Sequence, residues 1–121
     1  MLIGLGLDIC EISRMEKNLR NDRFLIRYFT PEEIAYVRSK GASSAQTLAG
    51  LFAAREALGK ALGSGIDFDL SEAEVLHDPK GRPYYHFYGS LAARTEGERF
   101  HLSITHDGGV AAAVCIREKD S

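Results

Sequence analysis

The sequence predicts an α+β fold, in which an antiparallel sheet packs against one long helix and several shorter helices. Residues 2–9 alternate between apolar and small or acidic side chains, which is the period of a strand. Residues 43–62 repeat their apolar positions at a helical period, and the last third of the chain alternates again. The order of strand, helices and strands favours the α+β class.

Length and composition indicate one globular domain. The chain has 121 residues, of which 45% are hydrophobic and 26% are charged, and we expect residues 1–121 to share a single core. The net charge of −2 gives no overall case for binding nucleic acid, so any basic surface for a partner must be local.

Three features predict a cytoplasmic protein. Gly4, Gly6 and Asp8 interrupt the apolar N-terminus, so this segment does not read as a signal peptide. No stretch is long and apolar enough to span a membrane. Cys10 and Cys115 lie far apart and lack the spacing of a metal or redox site, so we expect two reduced, buried thiols.

The strand over residues 2–9 has two unlike faces, because successive side chains point to opposite sides. One face carries Ile3, Leu5, Leu7 and Ile9, and the other carries Gly4, Gly6 and Asp8. After the strand, Ser13 and Glu16 have the spacing of a capping box and predict a helix start. That helix is expected to reach Leu19 and to resume near Arg23.

Two further start signals predict the central helices. Residues 30–33, Thr-Pro-Glu-Glu, combine an N-cap threonine, a proline at the first helical position and a glutamate at the third. This helix is expected to end before Gly41. Ser43 and Gln46 predict the start of the longest helix, and Gly63-Ser64-Gly65 predicts its end.

The last third of the chain predicts two strand pairs separated by a short helix. The expected elements are strands over 74–78 and 84–88, a helix over 90–96, and strands over 101–105 and 110–116. Residues 78–81, Asp-Pro-Lys-Gly, have the chemistry of a type I turn between the first two strands. The last two strands form a hairpin around Asp107-Gly108-Gly109.

Asp8 is the first candidate for a functional site. It lies inside a strand on a face that otherwise holds glycines, and glycine in a strand often marks the close approach of a ligand or another backbone. A carboxylate beside two missing side chains has room for an ion. The alternative is an aspartate facing solvent, with the glycines serving only the packing of the chain.

Glu56 and Lys60 are the second candidate. With Phe52 they form an i, i+4, i+8 row along one ridge of the long helix. A glutamate four residues before a lysine is also a common surface pair. Against that reading, small residues flank the row, and Gly59 lies inside the helix, where it costs about 1 kcal/mol relative to alanine.

The segment over residues 100–106 is the third candidate. Its apolar residues are expected to face the core, whereas Ser103 and Thr105 face away and His106 precedes a tight turn. Hydroxyl groups and a histidine suit phosphate oxygens, but the same pattern is typical of the polar outer face of a hairpin.

Three segments together resemble the motifs of the holo-acyl-carrier-protein synthases, the short, single-domain branch of the 4′-phosphopantetheinyl transferases. They are GLGLDI at 4–9, FAAREALGKALGSGI at 52–66 and LSITHDGGVAAAVCI at 102–116. The motifs occur in order and at the expected separations across nearly the whole chain. The resemblance implies a single domain of the phosphopantetheinyl transferase type.

The resemblance implies roles for particular residues. Asp8 and Glu56 match the carboxylates that hold Mg²⁺ on the pyrophosphate of coenzyme A, and Lys60 matches the lysine that neutralises that phosphate. Ser103 and His106 match a motif near the phosphates and adenosine end of the coenzyme. Coenzyme A binding is also assigned to Ser64 and Gly65. Two positions depart from the family: Arg55 replaces the usual lysine, and Leu51 replaces a frequent arginine.

The implied reaction is attack by a serine hydroxyl of apo-acyl carrier protein on the β-phosphate of coenzyme A. It transfers the 4′-phosphopantetheine arm and releases 3′,5′-ADP. Two carboxylates suit Mg²⁺, which takes oxygen ligands and keeps waters and substrate phosphates. The catalytic residues are then Glu56, which accepts the proton directly or through a metal-bound water, and Lys60, as a fixed positive charge.

The first helical region carries the expected docking surface for the carrier protein. Its arginines are Arg14, Arg20, Arg23 and Arg27, and the family uses arginines here to bind an acidic helix of acyl carrier protein. Family members are typically homotrimers with active sites between subunits. Two other hypotheses remain open: a non-enzymatic module that binds an acidic protein through these arginines, and a different metal-dependent phosphoryl-transfer or cyclase enzyme.

Overall fold

The computed structural model describes residues 1–120, and the elements follow the predicted order. The first half contains β1 (Leu2–Glu11), α1 (Ile12–Asn18), α2 (Asp22–Tyr28), α3 (Pro31–Arg38) and α4 (Ser44–Leu62). The second half contains β2 (Ala73–His77), β3 (Pro83–Phe87), α5 (Gly89–Arg94), β4 (Glu98–Asp107) and β5 (Val110–Lys119). The α+β class is confirmed, and the last two strands run farther than their alternation predicted.

The sheet that carries the site has three antiparallel strands in the order β1-β5-β4. Asp8 lies opposite Ala113 of β5, which lies opposite Ile104 of β4. The hairpin between β4 and β5 turns through Gly108 and Gly109, with φ angles of 57° and 85°. Two successive positive φ angles are typical of the type I′ turn, so the two glycines allow the predicted hairpin.

The glycine face of β1 packs directly on α4. A Cβ atom on Gly6 would lie 1.8 Å from the carbonyl oxygen of Ala57, and one on Gly4 would lie 2.0 Å from that of Ala61. Only glycine permits this distance, so these residues serve the packing of one backbone on another. Asp8 follows on the same face of the strand and is therefore held beside the same helix.

The apolar face of β1 points away from α4 and remains exposed. Leu5, Leu7 and Ile9 keep 66%, 60% and 66% of their accessible surface. Leu7 lies opposite Val114 of β5, which lies opposite Ser103 of β4, so these three side chains share the outer face of the sheet. The outer face is thus apolar on β1 and β5 and polar on β4.

The sequence predicts capping boxes at Ser13, Thr30 and Ser43. Only the one at Thr30 forms, and the other two predictions are wrong. At α3 the side chain of Thr30 accepts from the backbone N–H of Glu33, and Glu33 accepts from that of Thr30. At α1 the chain leaves β1 directly, and Ile12 N–H donates to Gly109 O at 3.0 Å. At α4 a 3₁₀ turn precedes the helix, so Ser43 lacks the extended backbone that a capping side chain requires.

A buried ion pair joins three elements of the core. Glu33 and Arg55 are 1% and 2% exposed, and Arg55 donates to the Glu33 carboxylate through both terminal nitrogens. The same carboxylate accepts from the backbone N–H of Thr30 and of Val75, each at 3.0 Å. Arg55, which departs from the family pattern, therefore belongs to the core and is not exposed to a ligand.

The buried positions predicted for the two cysteines are confirmed. Cys10 and Cys115 are buried free thiols. Within residues 1–120, none of the helices combines the length and the apolar character needed to cross a bilayer.

We expect Glu33→Gln to destabilise the fold by about 3 to 5 kcal/mol, because it leaves the Arg55 charge buried without a counter-charge. Urea denaturation measures this loss. The control is Asp22→Asn, which removes the exposed Arg38–Asp22 pair at 3.4 Å and is expected to cost at most about 1 kcal/mol. Equal losses in the two variants would contradict the importance of the buried pair.

Candidate functional site

Lys60 and Asp8 meet where α4 crosses β1. The Lys60 ammonium lies 3.3 Å from Asp8 Oδ1 and donates to the carbonyl oxygen of Leu7 at 2.8 Å. Asp8 is 18% exposed, whereas Lys60 is 55% exposed. The aspartate is therefore fixed against the helix, and the lysine reaches it from the solvent side.

Glu56 lies one helical turn before Lys60 and is half-buried. Burial raises the pKa of its carboxyl group, and the nearby charge of Asp8 raises that pKa further, whereas Lys60 and Arg14 lower it. The two carboxylates are thus close enough to repel each other. A positive ion between them would relieve that repulsion.

The chemistry of this donor set fits Mg²⁺. Two carboxylates offer oxygen ligands, and Mg²⁺ is commonly held by one or two carboxylates together with waters and substrate phosphates. Within residues 1–120, no group of three or more His, Cys, Asp or Glu side chains is arranged to hold a metal ion by itself. The site therefore suits a metal that completes its shell from the substrate.

Arg14 lies close enough to Glu56 for its charge to act on that carboxylate. Its guanidinium stands 5.1 Å from the centroid of the Phe52 ring, and its charge lowers the pKa of Glu56. It also lines an open cleft of about 520 Å³ between β1, α1 and the start of β5. The other cleft residues are Ile9, Cys10, Glu11, Ser13, Lys17 and Val110. Arg14 thus belongs to the carboxylate region as well as to the arginine-rich segment.

Ser64 and Gly65 lie at the C-terminal end of α4, just beyond Lys60. Arg94 of α5 donates to Ser64 Oγ at 3.0 Å and to Asp67 Oδ1 at 2.9 Å. The hydrogen bond from Arg94 holds the pKa of Asp67 below its usual range. The loop after α4 is therefore tied to α5, on the same end of α4 as Lys60.

His106 lies at the other end of α4. Its Nε2 atom is 3.0 Å from the side-chain nitrogen of Gln46. Gln46 precedes Glu56 by ten residues, which is about 15 Å along a helix. Ser103 is on the outer face of the sheet, opposite to α4. One chain therefore does not bring Ser103 and His106 together with Asp8, Glu56 and Lys60.

The surroundings of His106 include residues that sequence reasoning missed. The rings of Tyr36 and His77 stack at 4.1 Å, and they line the cavity of about 260 Å³ that His106 and Gln46 also line. The ammonium of Lys40 lies over the ring of Tyr36, 4.5 Å from its centroid. No local pattern could reveal this contact, because its partners come from α3 and β2.

The arginine-rich segment is not one continuous helix. Arg20 lies in the turn between α1 and α2, whereas Arg23 and Arg27 lie one helical turn apart on α2. Ile26, between them, is 74% exposed. The exposed residues of α2 are thus Asp22, Arg23, Ile26 and Arg27, so two of the four are basic.

Comparison with known proteins gives a consistent match. Residues 4–115 match the model of the 4′-phosphopantetheinyl transferase superfamily. A holo-[acyl-carrier-protein] synthase of Treponema denticola is 47% identical, over 98% of this chain and 99% of that protein. One of Geobacillus kaustophilus is 42% identical, over 98% and 91%.

Solved structures agree with the sequence matches. The holo-(acyl-carrier-protein) synthase of Bacillus anthracis, in complex with CoA (3′,5′-ADP), has a TM-score of 0.83 and 34% identity over 99% of both chains. The Helicobacter pylori enzyme, in complex with coenzyme A, has a TM-score of 0.81 and 32% identity over 94% of this chain and 99% of that one. The predicted enzyme class is confirmed, and the chain belongs to the 4′-phosphopantetheinyl transferase superfamily, in its holo-acyl-carrier-protein synthase branch.

Proposed function

We propose that this chain transfers the 4′-phosphopantetheine arm of coenzyme A to a serine of an apo-acyl carrier protein and releases 3′,5′-ADP. The observation that carries the proposal is the convergence of Asp8, Glu56 and Lys60 where α4 crosses β1. Two carboxylates and a lysine provide ligands for Mg²⁺ and a counter-charge for a pyrophosphate. Relatives that are 47% and 42% identical to this chain are named holo-[acyl-carrier-protein] synthase.

The proposed chemistry assigns tasks to Asp8, Glu56 and Lys60. The serine hydroxyl oxygen of the carrier protein attacks the β-phosphorus, and the bond from that phosphorus to the bridging oxygen of 3′,5′-ADP breaks. Glu56 accepts the hydroxyl proton, directly or through a metal-bound water. Lys60 offsets the negative charge on the phosphates. Asp8 and Glu56 would hold Mg²⁺, which would supply further charge neutralisation on the pyrophosphate and help to orient it.

The remaining coenzyme contacts are proposed at both ends of α4. Ser64 and Gly65 would meet the phosphates near Lys60. His106, with the cavity that Tyr36 and His77 line, would receive the adenosine end. Because these groups lie at opposite ends of α4, a neighbouring copy of the chain is needed to complete each site.

A homotrimer is the assembly we propose, with its sites between subunits. The exposed apolar outer face of the sheet supports this, since Leu5, Leu7 and Ile9 cover a contiguous stretch of β1 and would be buried by association. The separation of Ser103 and His106 from the carboxylates within one chain gives a second reason. Association can bring these two residues of one copy toward the carboxylates of another.

The carrier protein is proposed to dock on α2 and the adjoining turn. Arg20, Arg23 and Arg27 would face its acidic helix, with Arg14 nearer the reacting groups. Complementary charge mainly accelerates encounter and favours the right partner. We propose that the enzyme works in the cytoplasm, where both cysteines would stay reduced.

Glu56→Gln is expected to reduce transfer by at least about 100-fold, because it removes a metal ligand and the proton acceptor. The mass of apo-acyl carrier protein is measured after incubation with coenzyme A and Mg²⁺. Glu96→Gln, on an exposed residue beyond α5, is the control and keeps full activity. Absence of any mass gain with the wild-type protein would refute the proposed function, and full activity of Glu56→Gln would refute the role of Glu56.

Glu56→Gln is also expected to stabilise the metal-free fold at about pH 8. The gain is expected to be less than about 1 kcal/mol, because the Glu56 carboxyl group is only half-buried. A raised pKa means that folding favours the neutral form of Glu56, so the charged form weakens the fold above that pKa. The advantage of glutamine disappears as the pH falls through the raised pKa. Urea denaturation of both proteins at about pH 8 and at a pH below the raised pKa of Glu56, with a chelator present, measures this advantage. A stability difference that is the same at both pH values, or reversed, would contradict the prediction.

Leu7→Arg is expected to separate the trimer into single chains, because each interface would bury an unpaired charge at a cost on the order of 3 kcal/mol. Light scattering at micromolar concentration gives the mass. Ile26→Arg, which changes an equally exposed isoleucine on α2, is the control and stays trimeric. A trimeric Leu7→Arg variant would place the interface elsewhere.

A further inference from the structure

The carboxylates of the candidate site are already balanced by two cations of the same chain. Asp8 is contacted by the ammonium of Lys60 at 3.3 Å, and the charges of Lys60 and Arg14 both act on Glu56. Two negative and two positive groups leave the site close to neutral. A divalent ion approaching it alone therefore gains little net attraction from the protein.

Lys60 opposes such an ion more directly than Arg14 does. It contacts the carboxylate of Asp8, which would also hold the ion, and two positive charges a few ångströms apart repel each other strongly. A pyrophosphate changes this balance, because it adds negative charge and offers the ammonium other oxygens. The lysine stem is flexible and more than half exposed, so the ammonium can turn toward a phosphate.

We propose that Lys60 couples metal binding to pyrophosphate binding: its ammonium holds Asp8 until a pyrophosphate draws it away, so that a divalent ion binds tightly only together with the pyrophosphate-bearing ligand. This rests on the proposed function, because it takes Asp8 and Glu56 as the metal ligands. Coupling between two ligands is reciprocal, so the metal strengthens pyrophosphate binding by the same factor. Entry of either ligand alone is thereby disfavoured.

The test measures the affinity for Mn²⁺, with and without coenzyme A, in the absence of carrier protein so that no transfer occurs. In the wild-type protein, coenzyme A is expected to tighten Mn²⁺ binding by at least about tenfold. Lys60→Met keeps an apolar stem and removes the charge. It is expected to bind Mn²⁺ alone at least about threefold more tightly than the wild type, with the coupling reduced to about threefold or less.

Three variants separate this effect from other causes. Lys17→Met removes a lysine charge from the neighbouring cleft and controls for the overall gain in negative charge. Lys60→Arg keeps the charge and is expected to retain the coupling. Asp8→Asn, added to Lys60→Met, is expected to abolish the gain in Mn²⁺ affinity.

The proposal is overturned if Lys60→Met binds Mn²⁺ alone no more tightly than the wild type, if Lys17→Met matches its gain, or if neither protein binds Mn²⁺ measurably. Loss of coupling in Lys60→Arg would also overturn it. The transfer assay with the wild-type protein decides the proposed function separately. Transfer without the affinity change refutes the coupling alone, and the affinity change without transfer refutes the function alone.

Discussion

The carboxylate of Glu33 is the contact on which the geometry of the site depends. It closes the first turn of α3, binds the backbone of β2 and pairs with Arg55 of α4, so one buried group fixes three elements. Arg55 directly precedes Glu56, and consecutive residues project about 100° apart around a helix. Holding Arg55 in the core therefore fixes the rotation of α4, which turns Glu56 and Lys60 toward β1. A buried pair of this kind adds specificity more than net stability.

A second constraint sets the distance between β1 and α4 rather than the rotation of α4. The missing side chains of Gly4 and Gly6 let β1 lie on the backbone of α4, and the strand then delivers Asp8 to the helix ridge. Asp8 and Glu56 are far apart in the chain, yet neither depends on a loop for its position, because Asp8 lies on a strand and Glu56 on a helix. The carboxylates are thus supported by regular elements, which hold a metal site more accurately than loops do.

Much of this arrangement follows from local patterns. Periodicity and turn chemistry predicted the order of elements, and the ridge of α4 placed Glu56 and Lys60 together. Patterns over a few residues could not say which face of β1 is buried, because that depends on the glycines meeting α4. They also gave capping boxes at Ser13 and Ser43 that the tertiary structure overrides, and they could not reveal that Ser103 and His106 lie apart from the carboxylates.

The pairing of β1 with β5 has a consequence for how the chain is made. Residues 2–11 leave the ribosome before the other strands of the sheet, but their partner strand ends at residue 119, so the ladder between β1 and β5 cannot close until β5 has been made. The hairpin of β4 and β5 needs only a two-residue turn and can form locally. Until then α4 is the element available to shelter β1, through the glycine face that also positions Asp8. β1 is consequently made before the other strands of its sheet and is among the last of them to be paired.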